Sequence, residues 1–440
     1  PVQVGETLHW DVLRLWHEIK IGIAKVPAGA LSIGVDAPGV DTALLDKQGN
    51  LLANPVHYRD KRTDDMMEWV FDRVPRREIF DRTGIQFIQL NSIYQLASLV
   101  RSQSPLLDAA ETLLTFPDLF HYWMTGSKTC EFTHVTTTQL YNPNLQNWDT
   151  DLIEKIGLPS RIFPEIVQPG TKIGEYEGIS VILPPGHDTG SAVVGVPATG
   201  GNYAYLSSGT WSLLGLELDA PVINDAAYHA NVTSEGGAYG TFRFLKNIMG
   251  LWLIQQCFEI WEAEGTTYSF TELAEMVQSA PDFRSFIDPD DSLFFSHGMP
   301  MPERVREFCK RTDQPAPENH AQIIATIYES LSLKYRYFLE KLKEVSGQPI
   351  DRLHIIGGGS QNTLLCQMTA NAIGMDVYAG PVEATALGNG MVQMIGAGVI
   401  GSLAEARQIL SQSVQPVHYI PQETDKWDAA YERFLKILTT

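Results

Sequence analysis

Apolar residues recur at two spacings along the chain, one helical and one strand-like. Between Trp10 and Ala24 they fall at Val12, Leu13, Leu15, Trp16, Ile19, Ile21 and Ile23, which predicts a helix. Leu31 to Asp36 then reads as a buried strand, Gly39 as a break, and Thr42 to Asp46 as its partner strand ahead of the turn Lys47-Gln48-Gly49-Asn50. A polar cluster follows at His57 to Thr63, a loop and helix run from Ile85 to Leu99, and Met124-Thr125-Gly126-Ser127 ends another helix. Glu131 to Gln139 is dense in hydroxyls, the composition of a strand surface or a capping loop, with a ligand role as the alternative.

The strongest punctuation in the first half is an apolar run from Ile179 to Leu183, then Pro184-Pro185-Gly186, then Asp188-Thr189 ahead of small residues. It predicts a strand, a tight turn and a helix N-terminus. A Pro/Gly break around Val196 to Asn202 places a domain boundary near residue 198. Beyond it, Tyr203 to Leu216 reads as strand, small-residue turn and strand, and long helical patterns occupy 245–264 and 321–345. Leu353 to Ile356 is an apolar strand running into Gly357-Gly358-Gly359 and a helix over 364–373. A strand at Asp376 to Ala379 and a small-residue helix from about Val382 complete a second α/β half.

Composition narrows the class. At 440 residues the chain is too long for one ordinary core, and 44% hydrophobic with 19% charged residues fits a globular α/β protein. No run of about 18 apolar residues is present, so no membrane segment is expected, and the first residues carry no basic or apolar leader. A formal charge of −20 without a clustered basic face argues against a nucleic-acid partner. Cys130, Cys257, Cys309 and Cys366 lie far apart without metal-type spacing and read as reduced packing residues of a cytoplasmic protein.

Candidate chemistry collects at the turns. Asp188 stands where helix N–H groups and the positive end of the helix dipole gather anions. It is either an N-cap or a general base directed into a cleft. The hairpin turn Ser207-Ser208-Gly209-Thr210 is a plain turn or a backbone cradle for phosphate. Gly357-Gly358-Gly359 lacks the Lys-Ser/Thr of a Walker loop and the spacing of a dinucleotide fingerprint, so it is a nucleotide site of neither standard kind or a tight structural turn.

In order along the chain, Tyr58-Arg59-Asp60, Thr136 to Leu140, Gly186 to Thr189, Tyr205 to Leu213, Leu245 to Leu253, Gly357 to Leu365 and Ala379 to Ala384 resemble the FGGY family of carbohydrate kinases, within it most closely the kinases of L-rhamnulose. The resemblance implies an α/β protein of two actin-like (ribonuclease H-like) domains with an interdomain cleft: residues 1–197 on the sugar side and 198–440 on the ATP side. It implies that Asp188 is the base that takes the proton from the C1 hydroxyl of L-rhamnulose. Gly39, His187, Asp188 and Thr189 would then line the sugar site, and Thr210, Asn247, Gln255 and Gly358 would hold ATP. The implied reaction is ATP plus L-rhamnulose to ADP plus L-rhamnulose 1-phosphate, with Mg²⁺ and no assigned metal ligands, in a monomer or weak homo-oligomer. The alternatives are a kinase for L-fuculose or L-xylulose, or a catalytically silent actin-like sugar-binding protein. Two departures accompany the resemblance. The family's opening hairpin with its Asp and phosphate loop is expected ahead of where this sequence begins, so that metal-side Asp is not visible, and the usual Thr-Trp between strand Asp and Gly is replaced by Ala37-Pro38 in Asp36-Ala37-Pro38-Gly39.

Overall fold

The computed structural model describes residues 1–295 and 298–438. The chain forms two compact units, each discontinuous in sequence. One comprises Pro1–Gly195, Glu217–Phe244 and Thr385–Ile409; the other comprises Val196–Leu216, Leu245–Ala384 and Leu410–Thr440.

In the first unit the strand Ile179–Ile182 is the centre of a three-stranded sheet, antiparallel to Lys172–Tyr176 and parallel to Ser32–Ile33. The expected helix at the start is Val12–Ala24, begun by Asp11, whose carboxylate accepts the N–H of Arg14. Helix Ser92–Arg101 buries Ile93, Tyr94, Leu96 and Ala97, and helix Phe116–Thr125 carries Pro117 in its first turn and stops at Gly126, whose φ of 79° suits a glycine C-cap.

Two expectations for this unit are corrected. Strand Thr42–Leu45 pairs antiparallel with Thr112–Thr115 and not with the stretch before Gly39. The hydroxyl-rich run is neither strand surface nor loop: it is the buried helix Phe132–Thr137, capped by Glu131, whose carboxylate accepts the N–H of His134. The hydroxyls of Thr136, Thr137 and Thr138 turn back onto carbonyls three residues earlier, which satisfies them without water.

The second unit holds a sheet in which strand Tyr203–Ser208 runs antiparallel to Trp211–Leu218 and parallel to Arg352–Ile356. Arg352–Ile356 in turn runs parallel to Asp376–Ala379, which pairs antiparallel with Val417–Tyr419. Four successive residues of Arg352–Ile356 are buried, the signature of a central parallel strand covered on both faces. Helix His320–Ser346 spans 27 residues between the Asn319 cap and Gly347 at φ 68°, and it packs on helix Thr363–Ile373. Phe286, Leu333, Trp427, Tyr431 and Phe434 form a core cluster beside them. The pattern expected as one helix over 245–264 divides: residues up to Met249 belong to strand Phe242–Met249, and the helix is Trp252–Ala263. All four cysteines are free and buried, and among the described residues no helix is long and apolar enough to cross a membrane.

Candidate active site

The strand Ile179–Ile182 feeds the turn that presents Asp188. Two backbone bonds fix this turn against the loop after Ser32–Ile33: Ala37 N–H donates to Gly186 O, and Asp188 N–H donates to Ala37 O, both at 2.9 Å. A third restraint comes from beneath. The Glu131 carboxylate accepts from the N–H of Gly186 at 2.8 Å and from the Thr133 hydroxyl at 2.6 Å, and the Thr133 hydroxyl also accepts from His187 N–H at 3.3 Å. Burial pushes the Glu131 carboxyl up to about 7, against the pull of these hydrogen bonds.

Helix Asp188–Val194 begins at Asp188 itself, with His187 as its N-cap residue. Asp188 is therefore not the cap. Its Oδ1 accepts the N–H of Thr189 at 2.6 Å, and its side chain is 40% exposed. The ring of His187 packs against Gly39, where a Cβ would stand 3.1 Å from Nε2 and Cδ2. His187 Nε2 is 3.4 Å from Asp188 Oδ1. Gly39, His187, Asp188 and Thr189 are thus one cluster, an exposed carboxylate beside a buried imidazole.

Charged residues that the sequence reading did not single out surround this cluster. Asp36 accepts a 2.6 Å hydrogen bond from Asn389 Nδ2, and burial, with the charge of Asp188 adding, raises its carboxyl to about 6. Glu235 and Arg243 lie behind His187, both buried. Their signal in the sequence was a charge placed inside the short strands Thr233–Gly236 and Phe242–Met249, where an ion is rarely buried without a partner. His134, also behind His187, has both ring nitrogens buried without a hydrogen-bond partner among the described residues, and burial lowers its pKa to about 3.

The residues expected to hold ATP belong to the second unit and gather at one end of its sheet. Strands Tyr203–Ser208 and Arg352–Ile356 run parallel with Ser207 opposite Ile356, so the turn at Thr210 and the glycines at 357–359 leave the same sheet end. Leu251 and Trp252 donate their N–H groups to Gly209 O and Thr210 O, which brings the end of strand Phe242–Met249, two residues beyond Asn247, to the same turn. Thr210 Oγ1 donates to Gln255 Oε1 at 3.4 Å.

The three glycines have three different reasons. Gly357 has φ 82°. A Cβ on Gly359 would stand 2.0 Å from Ser208 Oγ. A Cβ on Gly358 would meet nothing within 4 Å, so only there does the absence of a side chain leave open space above the chain. That open backbone fits close approach of a nucleotide. Among the described residues no group of three or more His, Cys, Asp or Glu converges as a metal site.

Comparison with known proteins gives a consistent picture. Residues 6–195 match the N-terminal domain model of the FGGY family of carbohydrate kinases, and residues 204–397 match its C-terminal domain model. A rhamnulokinase of Bacteroides thetaiotaomicron is 45% identical over 98% of this chain and 91% of its own length. Rhamnulokinases of Pectobacterium carotovorum and Lactiplantibacillus plantarum are 40% and 38% identical over 97% and 98% of this chain, covering 86% and 89% of their own lengths. Among solved structures, a ligand-bound xylulose kinase from Lactobacillus acidophilus superposes with a TM-score of 0.82 at 15% identity, covering 100% of this chain and 91% of that one. A Plasmodium falciparum glycerol kinase with ADP gives 0.75 at 15% identity, covering 99% and 91%. At such identities the structural likeness speaks for the fold, the two-domain α/β fold of sugar kinases.

Proposed function

The chain belongs to the FGGY family of carbohydrate kinases, and from that membership we propose that it transfers the terminal phosphoryl group of ATP to O1 of L-rhamnulose, giving ADP and L-rhamnulose 1-phosphate. The observation that carries the substrate is the 45% identity to a rhamnulokinase along nearly the whole of both chains.

Asp188 is the proposed general base. Its carboxylate is exposed enough to reach a hydroxyl, yet its backbone is clamped to Ala37, so the proton acceptor is held in position before the sugar arrives. Gly39, His187 and Thr189 are proposed to line the sugar, with residues 1–197 as the sugar side. Thr210, Asn247, Gln255 and Gly358 are proposed to hold ATP, with residues 198–440 as the ATP side. Phosphoryl transfer asks mainly for positioning and neutralisation of charge. Mg²⁺, when bound, supplies that neutralisation on the phosphates. We also propose a cytoplasmic monomer or weak homo-oligomer acting on small molecules; the charge of −20 without a clustered basic face counts against nucleic acid.

A second reading, a kinase for L-fuculose or L-xylulose, draws on Ala37-Pro38, where Pro38 is exposed beside Gly39 and offers less apolar area to a sugar ring than an aromatic would. ADP release measured with L-rhamnulose, L-fuculose and L-xylulose separates the two. The proposal expects the highest kcat/KM on L-rhamnulose. A higher value on another ketose transfers the function to that sugar, and no ADP release on any ketose leaves a silent sugar-binding protein.

A further inference from the structure

His187 has a neighbour that decides which of its nitrogens carries a proton. The guanidinium of Arg243 is fully buried, its Nε donates to Gly236 O at 2.8 Å, and its Nη2 lies 3.1 Å from His187 Nδ1 and 3.2 Å from Glu235 Oε2. A guanidinium only donates and does not lose its proton in proteins. Nδ1 at hydrogen-bond distance from it must therefore accept, and the ring proton must sit on Nε2.

Glu235 Oε2 is also near Nδ1, at 3.5 Å, which would suit the opposite tautomer. That distance is outside hydrogen-bond range, and a proton on Nδ1 would face the Nη2 donor at 3.1 Å. The shorter contact decides. An Nη2 hydrogen then goes to His187 Nδ1, and Glu235 pairs with the guanidinium as an ion at 3.2 Å, holding its charge beside the ring.

We infer that the buried Arg243–Glu235 pair is a positioning device that locks His187 as the neutral Nε2–H tautomer, so that this N–H is a fixed donor toward Asp188 and toward a hydroxyl of the sugar above Gly39. The inference rests on the proposed sugar site for its consequence and on the geometry alone for the tautomer. Nε2 is the ring atom that faces both Asp188 Oδ1 and Gly39. Buried ion pairs seldom add net stability, because desolvation offsets their attraction. A pair that sets a tautomer has a different use. Neither Arg243 nor Glu235 touches the reacting atoms; they act through His187.

The test begins with the intact protein. Nitrogen-15 spectra of histidine-labelled enzyme, with the His187 signals assigned by their absence in His187→Gln, should show a pyridine-type Nδ1 and a pyrrole-type Nε2. A pyrrole-type Nδ1, donating to Glu235, or a doubly protonated ring overturns the inference without any variant having to fold. In the variant Arg243→Met with Glu235→Gln, which removes both charges together, the tautomers should mix. The KM for the ketose should then rise about tenfold, the loss expected for one hydrogen bond, while the KM for ATP stays unchanged. Arg243→Lys, which still only donates, should recover most of that loss. An unchanged tautomer in the folded double variant, or equal rises in both KM values, also overturns it. If the spectra show the Nε2–H tautomer but no ketose is phosphorylated, the proposed function fails and the positioning role stands.

Discussion

Asp188 is the first residue of its helix and His187 the cap, so replacing Asp188 by Asn removes a negative charge but no cap. The Asn oxygen can keep the 2.6 Å bond from Thr189 N–H, and the loss to the helix dipole is on the order of 0.3–1 kcal/mol. Melting temperature should therefore hardly move. Turnover should fall by a factor on the order of 10²–10⁴, the usual share of a general base. A folded variant that retains more than about a tenth of normal turnover would remove Asp188 from that role. Gly358 allows an equally separable test. Because its Cβ direction is empty, Gly358→Val should leave stability near normal and raise the KM for ATP about tenfold or more, the effect of about 1.4 kcal/mol or more of steric obstruction, with the sugar KM little changed. Gly359→Ala, which drives a Cβ onto Ser208, should instead lose stability by about 1–3 kcal/mol. Melting curves and KM values for both substrates check the pair. At this scale the sequence made the strand–turn–helix around Asp188 and the glycine turn legible, because Gly, Pro and Asp mark backbone geometry locally. It could not reveal that Gly358 alone of the three is open, or that Arg243 and Glu235 stand behind His187, since those contacts join residues 56 and 48 apart and depend on packing.

Helix Ala384–Gly396 shows how one element holds several parts of the cluster around Asp188. Thr385, Asn389 and Gln393, spaced four apart on one face, bond Asp188 O at 3.3 Å, Asp36 Oδ2 at 2.6 Å and Ile182 O at 2.9 Å. Gly388 permits the approach, for a Cβ there would lie 1.8 Å from Ser191 O in the Asp188 helix. Gly388→Ala must push the two helices apart. It is expected to reduce stability by about 1–3 kcal/mol and to lower turnover by displacing Asp188 and Asp36 together. Gly390→Ala is the control, since a Cβ there meets nothing and alanine favours a helix by roughly 1 kcal/mol. Urea midpoints and kcat for both variants are the measurement, and equal behaviour would end the argument from close packing. The small-residue composition of this helix was visible in the sequence, but its partner was not. The same limit explains the strand errors. Leu245, Ile248 and Met249 lie at i, i+3 and i+4 and imitate a helix, whereas they form a buried strand that ends at Gly250, where a side chain would strike the backbone of Trp211 and Ser212. Likewise nothing local to Thr42–Leu45 names Thr112–Thr115 as its partner.

Across the whole molecule the α/β class was legible from periodicity and punctuation, while the discontinuous make-up of the two units and the buried ionisable groups that set the pH response were not, because both come from packing. Burial raises Asp36 and Asp41 to about 6, Glu131 to about 7 and Glu329 to about 8, with the charge of Asp282 adding at Glu329. Burial lowers His57 and His354 to about 4 and His134 to about 3. Between about pH 4 and 6.5 the two sets oppose one another. The native carboxyls hold protons that the unfolded chain has released, and the unfolded histidines hold protons that the native ones refuse. Above about 6.5 the unfolded histidines lose their remaining protons, so their opposing contribution fades by about pH 7.5 and the raised carboxyls dominate the difference. A raised carboxyl contributes stability at low pH that is lost as pH rises through its folded value. Stability should therefore decline from about pH 6.5 to 8, through Glu131 first and Glu329 last, by on the order of 1 kcal/mol for each proton over each pH unit. Glu329 accepts the N–H of Phe283 at 3.0 Å, a bond that a glutamine oxygen can keep, so Glu329→Gln removes the ionisation and little else. Urea midpoints at pH 6.5, 7, 7.5 and 8 should fall for the parent chain and fall less for the variant, with the difference concentrated above pH 7. Parallel profiles would show that Glu329 is ionised in the native protein throughout this range, and would assign the decline to other groups.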